Sequence, residues 1–243
     1  MTGTYKIAGK IIEITSIHED VHVLCREYRE QGIPELMVGI TQSDIEVERD
    51  KSATEDRRNK VPIRQFPDNY LETLAVYRQI AEQMIAYDTL LFHGSVVSVD
   101  GEGYLFTAKS GTGKSTHTRL WRELFLERAI MINDDKPLLR IREEDVLVYG
   151  SPWDGKHRLS ANMAVPLKAI CILERNEKNH IESIAKKQAY PMLVQQTYRS
   201  QNPLILGKTM ELIDKMADRV PLYKLGCNQD IEAAKVAFQG MKG

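Results

Sequence analysis

The chain has 243 residues, 42% of them hydrophobic, which suits one large domain or a core with a small appendage and excludes bulk disorder. Its 33 Lys+Arg nearly cancel its 34 Asp+Glu, so no broad field exists for nucleic acid or an anionic membrane, and any bound anion must be gripped locally. The first residues hold no apolar run with a small-residue cleavage site, and no stretch approaches the ~18 apolar residues of a membrane span, so a cytoplasmic protein without membrane or nucleic-acid partners is expected.

In chain order, Lys6 to Ile14 alternates and predicts a strand. Glu19 to Gln31 predicts a helix with Val21, Leu24, Cys25 and Tyr28 on one face and Gly32 as its stop. Glu35 to Ile40 predicts another strand. Glu46 to Arg64 is the most polar stretch, and reads either as an exposed connection or as a solvated helix of balanced charge. The first reading divides the chain into a small N-terminal α/β subdomain, 1–64, and a larger core, 65–243. Asn69 and Glu72 have the spacing of a capping box, and the helix they would open carries Tyr70, Leu74, Tyr77, Ala81 and Met84 on one face.

Leu90 to Val99 predicts a strand, Asp100-Gly101 a hairpin turn, and Gly103 to Thr107 the returning strand. After a glycine-rich segment, Leu120, Trp121, Leu124 and Phe125 give a helix with a buried stripe. Ala129 to Ile132 predicts a short strand that ends in Asn133-Asp134-Asp135. Val146 to Tyr149 and Ala169 to Leu173 predict strands, Ile184 to Tyr198 and Leu204 to Val220 helices, Pro221 to Leu225 a last strand, and Asp230 the start of a terminal helix. The fold class is α/β with a mixed sheet. Cys25, Cys171 and Cys227 are too few and too scattered for a disulfide framework or a metal site and read as packed thiols.

The glycine-rich segment, Ala108-Lys109-Ser110-Gly111-Thr112-Gly113-Lys114-Ser115, has the form of a phosphate-binding loop with Ala at the usual first glycine. Gly111 and Gly113 allow backbone angles that turn amide hydrogens inward, and the helix opening at Lys114 adds the positive end of its dipole. Ser110, Gly111, Thr112, Gly113, Lys114, Ser115 and Thr116 are therefore expected on the phosphates of ATP, with Lys114 supplying charge to the reacting phosphoryl group and the Ser115 hydroxyl a ligand for Mg²⁺. Asp134 and Asp135 follow 20 and 21 residues after Lys114 at a strand end, where one carboxylate can hold the metal and the other accept a proton. By itself such a pair is as readily a turn or a cap.

His93-Gly94, the hairpin, Ser110 to Ser115, then Asn133-Asp134-Asp135: this order resembles the HPr kinase and ATP-type phosphoenolpyruvate carboxykinase superfamily, and most closely its small serine kinases, including those that act on peptide precursors. The resemblance covers about His93 to Asp135, and more loosely Gly150 to Arg175. It implies a P-loop core of that type, transfer of the γ-phosphoryl group of ATP to a hydroxyl, with serine of a peptide, protein or amino acid the leading acceptor, Asp134 as base, His93 orienting it, and Asp135 on magnesium. The glutamate that HPr kinases carry after Lys-Ser is Thr116 here, so neither HPr nor the reverse phosphorylase reaction is implied. Two other readings stay open, a P-loop NTPase without acceptor and a nucleotide sensor without chemistry. Relatives are often oligomeric, and a homo-oligomer is one option here.

Gly150 to Arg158 combines turn formers with Trp153, Lys156, His157 and Arg158, and reads equally as a loop over the site or as a surface turn. Lys136 and Arg140 are further candidates for anion contacts.

Overall fold

The computed structural model describes residues 1–242. Contacts divide the chain into two compact units, Met1–Gln83 and Met84 onward.

In the first unit, β1 (Thr2–Ile7) and β2 (Lys10–Thr15) form an antiparallel hairpin, and β3 (Leu36–Gly39) pairs parallel with β2. The single strand expected over Lys6 to Ile14 is thus two. Ala8 at φ 46° and Gly9 at φ 73° make the two-residue turn, a geometry usually announced by Asn-Gly. The helix expected over Glu19 to Gln31 is only α1 (Asp20–Leu24) followed by a 3₁₀ turn, because Arg29 bridges to Tyr5 and the Glu30 amide donates to the Thr4 carbonyl. Sheet pairing here overrides helix propensity.

The polar stretch is α2 (Gln42–Arg58), which favours the helix over the exposed connection. Thr41 and Asp44 form its capping box. Two of its acids are buried with partners: Glu48 takes Arg78 at 2.7 Å and Lys51 at 2.8 Å, and Asp56 takes the Arg64 guanidinium at 2.7 Å. In α3 (Asp68–Met84) Asn69 lies inside the first turn and no Asn69–Glu72 box forms. Glu72 is instead buried and accepts from the backbone amides of Ile17 at 2.5 Å and His18 at 2.8 Å. The buried stripe runs through Leu71, Ala75, Ile80, Ala81 and Met84, while Tyr70 is exposed.

The second unit is built on a branched sheet of nine strands. These are β4 (Thr89–Leu91), β5 (Ser95–Val99), β6 (Glu102–Thr107), β7 (Ala129–Asn133), β8 (Leu138–Ile141), β9 (Val146–Tyr149), β10 (Ala164–Arg175), β11 (His180–Ser183) and β12 (Leu222–Cys227). The order is β4-β8-β9-β10-β6-β5-β7, with β12 also on β10 and β11 on β12. The strand expected over Leu90 to Val99 is broken at Phe92–Gly94, and β8 and β11 carried no period strong enough to be read from sequence.

Alternation along the strands builds two cores. Val97, Val99, Tyr104, Phe106, Ala169 and Cys171 face α4 (Lys114–Phe125) and α7 (Ile231–Met241), where Trp121 is fully buried. Val96, Leu105, Ile170 and Ile172 face α5 (Lys186–Gln196) and α6 (Pro203–Arg219). All five residues of β5 are buried, so the strand shows no alternation of buried and exposed positions. Among the described residues no helix is long and apolar enough to cross a membrane.

Strand direction positions the site. β10 runs parallel to β6 and to β12, and β5 is antiparallel to both β6 and β7. The carboxyl ends of β7, β6, β10 and β12 therefore share one edge of the sheet. In open α/β sheets that edge is where ligands bind.

Candidate functional site

The segment Ala108–Gly113 leaves the carboxyl end of β6 and enters α4 directly. Gly111 has φ 76° and Gly113 φ 122°, angles that side chains with a Cβ rarely adopt. A Cβ on Gly111 would meet nothing within 4 Å, so the backbone angle, not space, demands glycine there. No side chain caps the amino end of α4. Its first amides are left for another acceptor, next to the positive end of the helix dipole. Lys114 folds back so that Nζ donates to the Ala108 carbonyl at 3.4 Å. Burial lowers its pKa, with Asp135 and Asp134 pulling it back up.

Arg175, at the end of β10, clamps the segment from the other side. Its Nη2 donates to the Gly111 carbonyl at 2.5 Å and its Nε to that of Thr112 at 3.4 Å. Beside the clamp lies a cavity of about 510 Å³, lined among others by Thr112, Gly113, Thr116, Asn176 and Asn228. Ser110 lies in the turn, and Ser115 and Thr116 lie in the first turn of α4, where Ser115 is exposed.

The two aspartates differ. Asp134 is buried, and its Oδ1 accepts from the Ser95 hydroxyl at 2.7 Å. Asp135 is half-exposed, and its Oδ1 accepts from Lys136 Nζ at 3.0 Å and lies 3.4 Å from His93 Nε2. His93 thus faces Asp135, whereas the resemblance implied Asp134. The break at Phe92–Gly94 is what brings it there: the amides of Phe92, His93 and Gly94 donate to the carbonyls of Pro137, Gln196 and Asp135 instead of to a strand. A Cβ on Gly94 would lie 3.0 Å from the Phe106 carbonyl, so glycine permits that approach. On the far side of the ring, Nδ1 shares a hydrogen bond with Gln196 Oε1 at 2.7 Å. Burial, then the charges of Lys136 and Lys114, lower the His93 pKa to about 4, so the ring is neutral at pH 7.

Asn133 shapes the aspartate turn. Its Oδ1 accepts from the amides of Asp135 at 2.8 Å and Lys136 at 2.6 Å, and its Nδ2 donates to the Ser151 carbonyl at 3.1 Å. Gly150 to Arg158 is fastened there: the Lys136 amide donates to the Trp153 carbonyl at 3.2 Å, and Trp153 and Asp154 are buried. A Cβ on Gly155 would lie 3.5 Å from that of Asp135. The segment therefore packs on the aspartates, with Lys156, His157 and Arg158 exposed beyond it. Arg140 donates to Thr89 Oγ1 and lies over the Tyr149 ring.

Ser95, Gln196 and Arg175 belong to no motif of the sequence. Ser95 adjoins His93-Gly94 and could have been suspected from a strand pointing at the loop. Gln196 and Arg175 are remote in sequence and carried no local signal.

The model of the family described as SynChlorMet cassette protein ScmC matches residues 68–230, more than half of the chain and including every residue of this site. Among solved structures, the Hpr(Ser) kinase/phosphatase from Coxiella burnetii is similar at 12% identity and a TM-score of 0.35, over 63% of this chain and 99% of that one, a likeness too slight to bear on the site. No curated protein matches.

Proposed function

We propose that this chain, which belongs to the SynChlorMet cassette protein ScmC family, is an ATP-dependent phosphotransferase acting on a hydroxyl, with serine of a peptide the leading acceptor. One observation carries the reading. A strand–loop–helix turn with two left-handed glycines, an uncapped helix end and an inward lysine lies on the same sheet edge as a carboxylate pair of unlike environment. The first half suits phosphates, and the second suits proton transfer beside a metal.

In this reading Gly111 to Thr116 offer backbone amides to the β- and γ-phosphates, and Lys114 adds a positive charge that strengthens as negative charge develops on the transferring group. The cavity beside Arg175 has room for the nucleoside, with the Asn176 and Asn228 side chains on its wall. Ser115 and Asp135 present hard oxygen donors that fit Mg²⁺. Among the described residues no group of three or more His, Cys, Asp or Glu could hold a metal, so phosphates and water would complete the shell. Bound magnesium would neutralise charge on the phosphates.

The transfer forms a bond between the acceptor oxygen and the γ-phosphorus, breaks the bond from that phosphorus to the oxygen of ADP, and releases the hydroxyl proton. Asp134 is the group assigned to take it. Ser95 fixes its carboxylate, and Lys114 lies near enough to interact with its charge. His93, held by Gln196 and facing Asp135, positions the metal-side carboxylate.

Incubation of the chain with γ-labelled ATP and serine peptides tests this reading. Label should pass to the acceptor, stop in EDTA and resume with added Mg²⁺. Release of free phosphate at the same rate with or without acceptor would make the chain an NTPase instead.

A further inference from the structure

Resting on the phosphotransferase reading, we infer that the acceptor is an acidic peptide, whose carboxylate is gripped by Arg122 about three residues from the hydroxyl that receives the phosphoryl group. A second cavity, of about 210 Å³, lies along α4 and is lined by Ser115, Asp134, Arg119, Arg122, Met131 and His157. Its lining includes the proposed base and metal ligand, so an acceptor hydroxyl reaching Asp134 enters through it. Ser115, Arg119 and Arg122 are spaced i, i+4, i+7 and share one face of the helix.

The charges along this cavity are unequal. Arg119 is held by an ion pair with Glu123. Arg122 is half-buried, shows no ion pair among the described residues, and shares the cavity with apolar Met131. A half-buried arginine without a counter-charge has its five donors open to a ligand, and a carboxylate can meet them in a bidentate fork. The chain's net charge is −1, so attraction of an acidic substrate cannot come from a general field and has to arise at such a spot.

The spacing sets the register. Seven residues of helix advance ~10 Å, which an extended peptide covers in about three residues. Ser115 lines the cavity with Asp134 and stands seven residues before Arg122, so a serine entering beside Ser115 places a glutamate or aspartate about three positions away within reach of Arg122. A solvated arginine face is the alternative, and it predicts no such register.

The test uses the full chain and peptides with one serine in a Gly-Ala background. One Glu, or Gln as control, is placed one to five positions to either side. Phosphoryl transfer is measured, and peptide binding is followed by fluorescence anisotropy with a non-hydrolysable ATP analogue present. The expected result is about tenfold preference for Glu over Gln, in binding and in kcat/KM, greatest near three positions. Arg122→Gln should abolish the preference with ATP affinity retained as the check on folding, and Arg122→Glu should prefer a Lys peptide. Equal binding of Glu and Gln peptides at every spacing, or a preference that survives Arg122→Gln, overturns the inference. Glu-dependent binding without transfer to any peptide leaves the acidic site standing and removes the phosphotransferase reading.

Discussion

The Ser95 hydroxyl donates to Asp134 Oδ1 at 2.7 Å, joining the strand before the hairpin to the carboxylate after β7. This bond is buried. Replacing Ser95 with Ala should lower phosphoryl transfer about tenfold while leaving ATP affinity within twofold. It should also cost ~2 kcal/mol of stability, the scale of a hydrogen bond to a charged group. Denaturant unfolding beside steady-state kinetics checks both, and unchanged kcat would remove Ser95 from the account.

The two loop glycines should respond unequally. Gly111, at φ 76°, has open space around it, so Ala there costs only the left-handed backbone, ~1–2 kcal/mol. Gly113, at φ 122° and ψ 28°, lies outside the left-handed helical well as well, and Ala there should cost up to ~3 kcal/mol. Calorimetric ATP affinities of Gly111→Ala and Gly113→Ala should fall in that order. The reverse order would mean that the loop changes shape when it binds.

Arg175 holds two carbonyls of the loop from an exposed position. Arg175→Gln should loosen the loop and weaken ATP binding by about fivefold, consistent with ~1 kcal/mol for such bonds. Activity extrapolated to saturating ATP should be nearly retained. A loss of kcat without loss of affinity would instead give Arg175 a part in the transfer itself.

Stability should depend on pH in the acid range. His93 and His117 both have pKa values lowered to about 4, chiefly by burial. In the unfolded chain each binds its proton near pH 6.5, so between pH 6.5 and 4 the unfolded state holds more protons and stability falls as pH falls. His117, buried and accepting from Trp121 Nε1 at 3.0 Å, should contribute up to about 3 kcal/mol of this loss. Chemical unfolding at pH 7, 5.5 and 4.5 should show the trend, and His117→Gln should flatten it. A flat profile in the parent chain would contradict these burial-driven shifts.

Local features explain which parts of the site could be read from sequence. Gly111, Gly113 and Lys114 announce their geometry within eight residues, because a left-handed backbone and a helix start each have a compositional mark. Asp134 and Asp135 were visible as a pair with expected roles of base and metal ligand, but their partners were not, since Ser95 and His93 are distant from them in sequence. Gln196 meets His93 over 103 residues, a pairing that only the fold creates. The same holds elsewhere: Ala8-Gly9 turns a hairpin without the usual residues, and Glu72 leaves its helix cap to bind two distant amides. The one-sided apolar stripe of α4 was readable as a helix, whereas α2 hides its buried acids in a polar run.

The central claim is that phosphates are held by the loop while the proton is taken by Asp134. The most direct measurement pairs ATP calorimetry with single-turnover transfer from γ-labelled ATP for Asp134→Asn and Lys114→Ala. Asp134→Asn should bind ATP like the parent chain and transfer 10² to 10⁴ times more slowly, the usual scale for loss of a general base. Lys114→Ala should fall ~10² to 10³ in transfer and lose ATP affinity as well. Parent-like transfer by Asp134→Asn, or undiminished ATP binding and transfer by Lys114→Ala, would contradict the account.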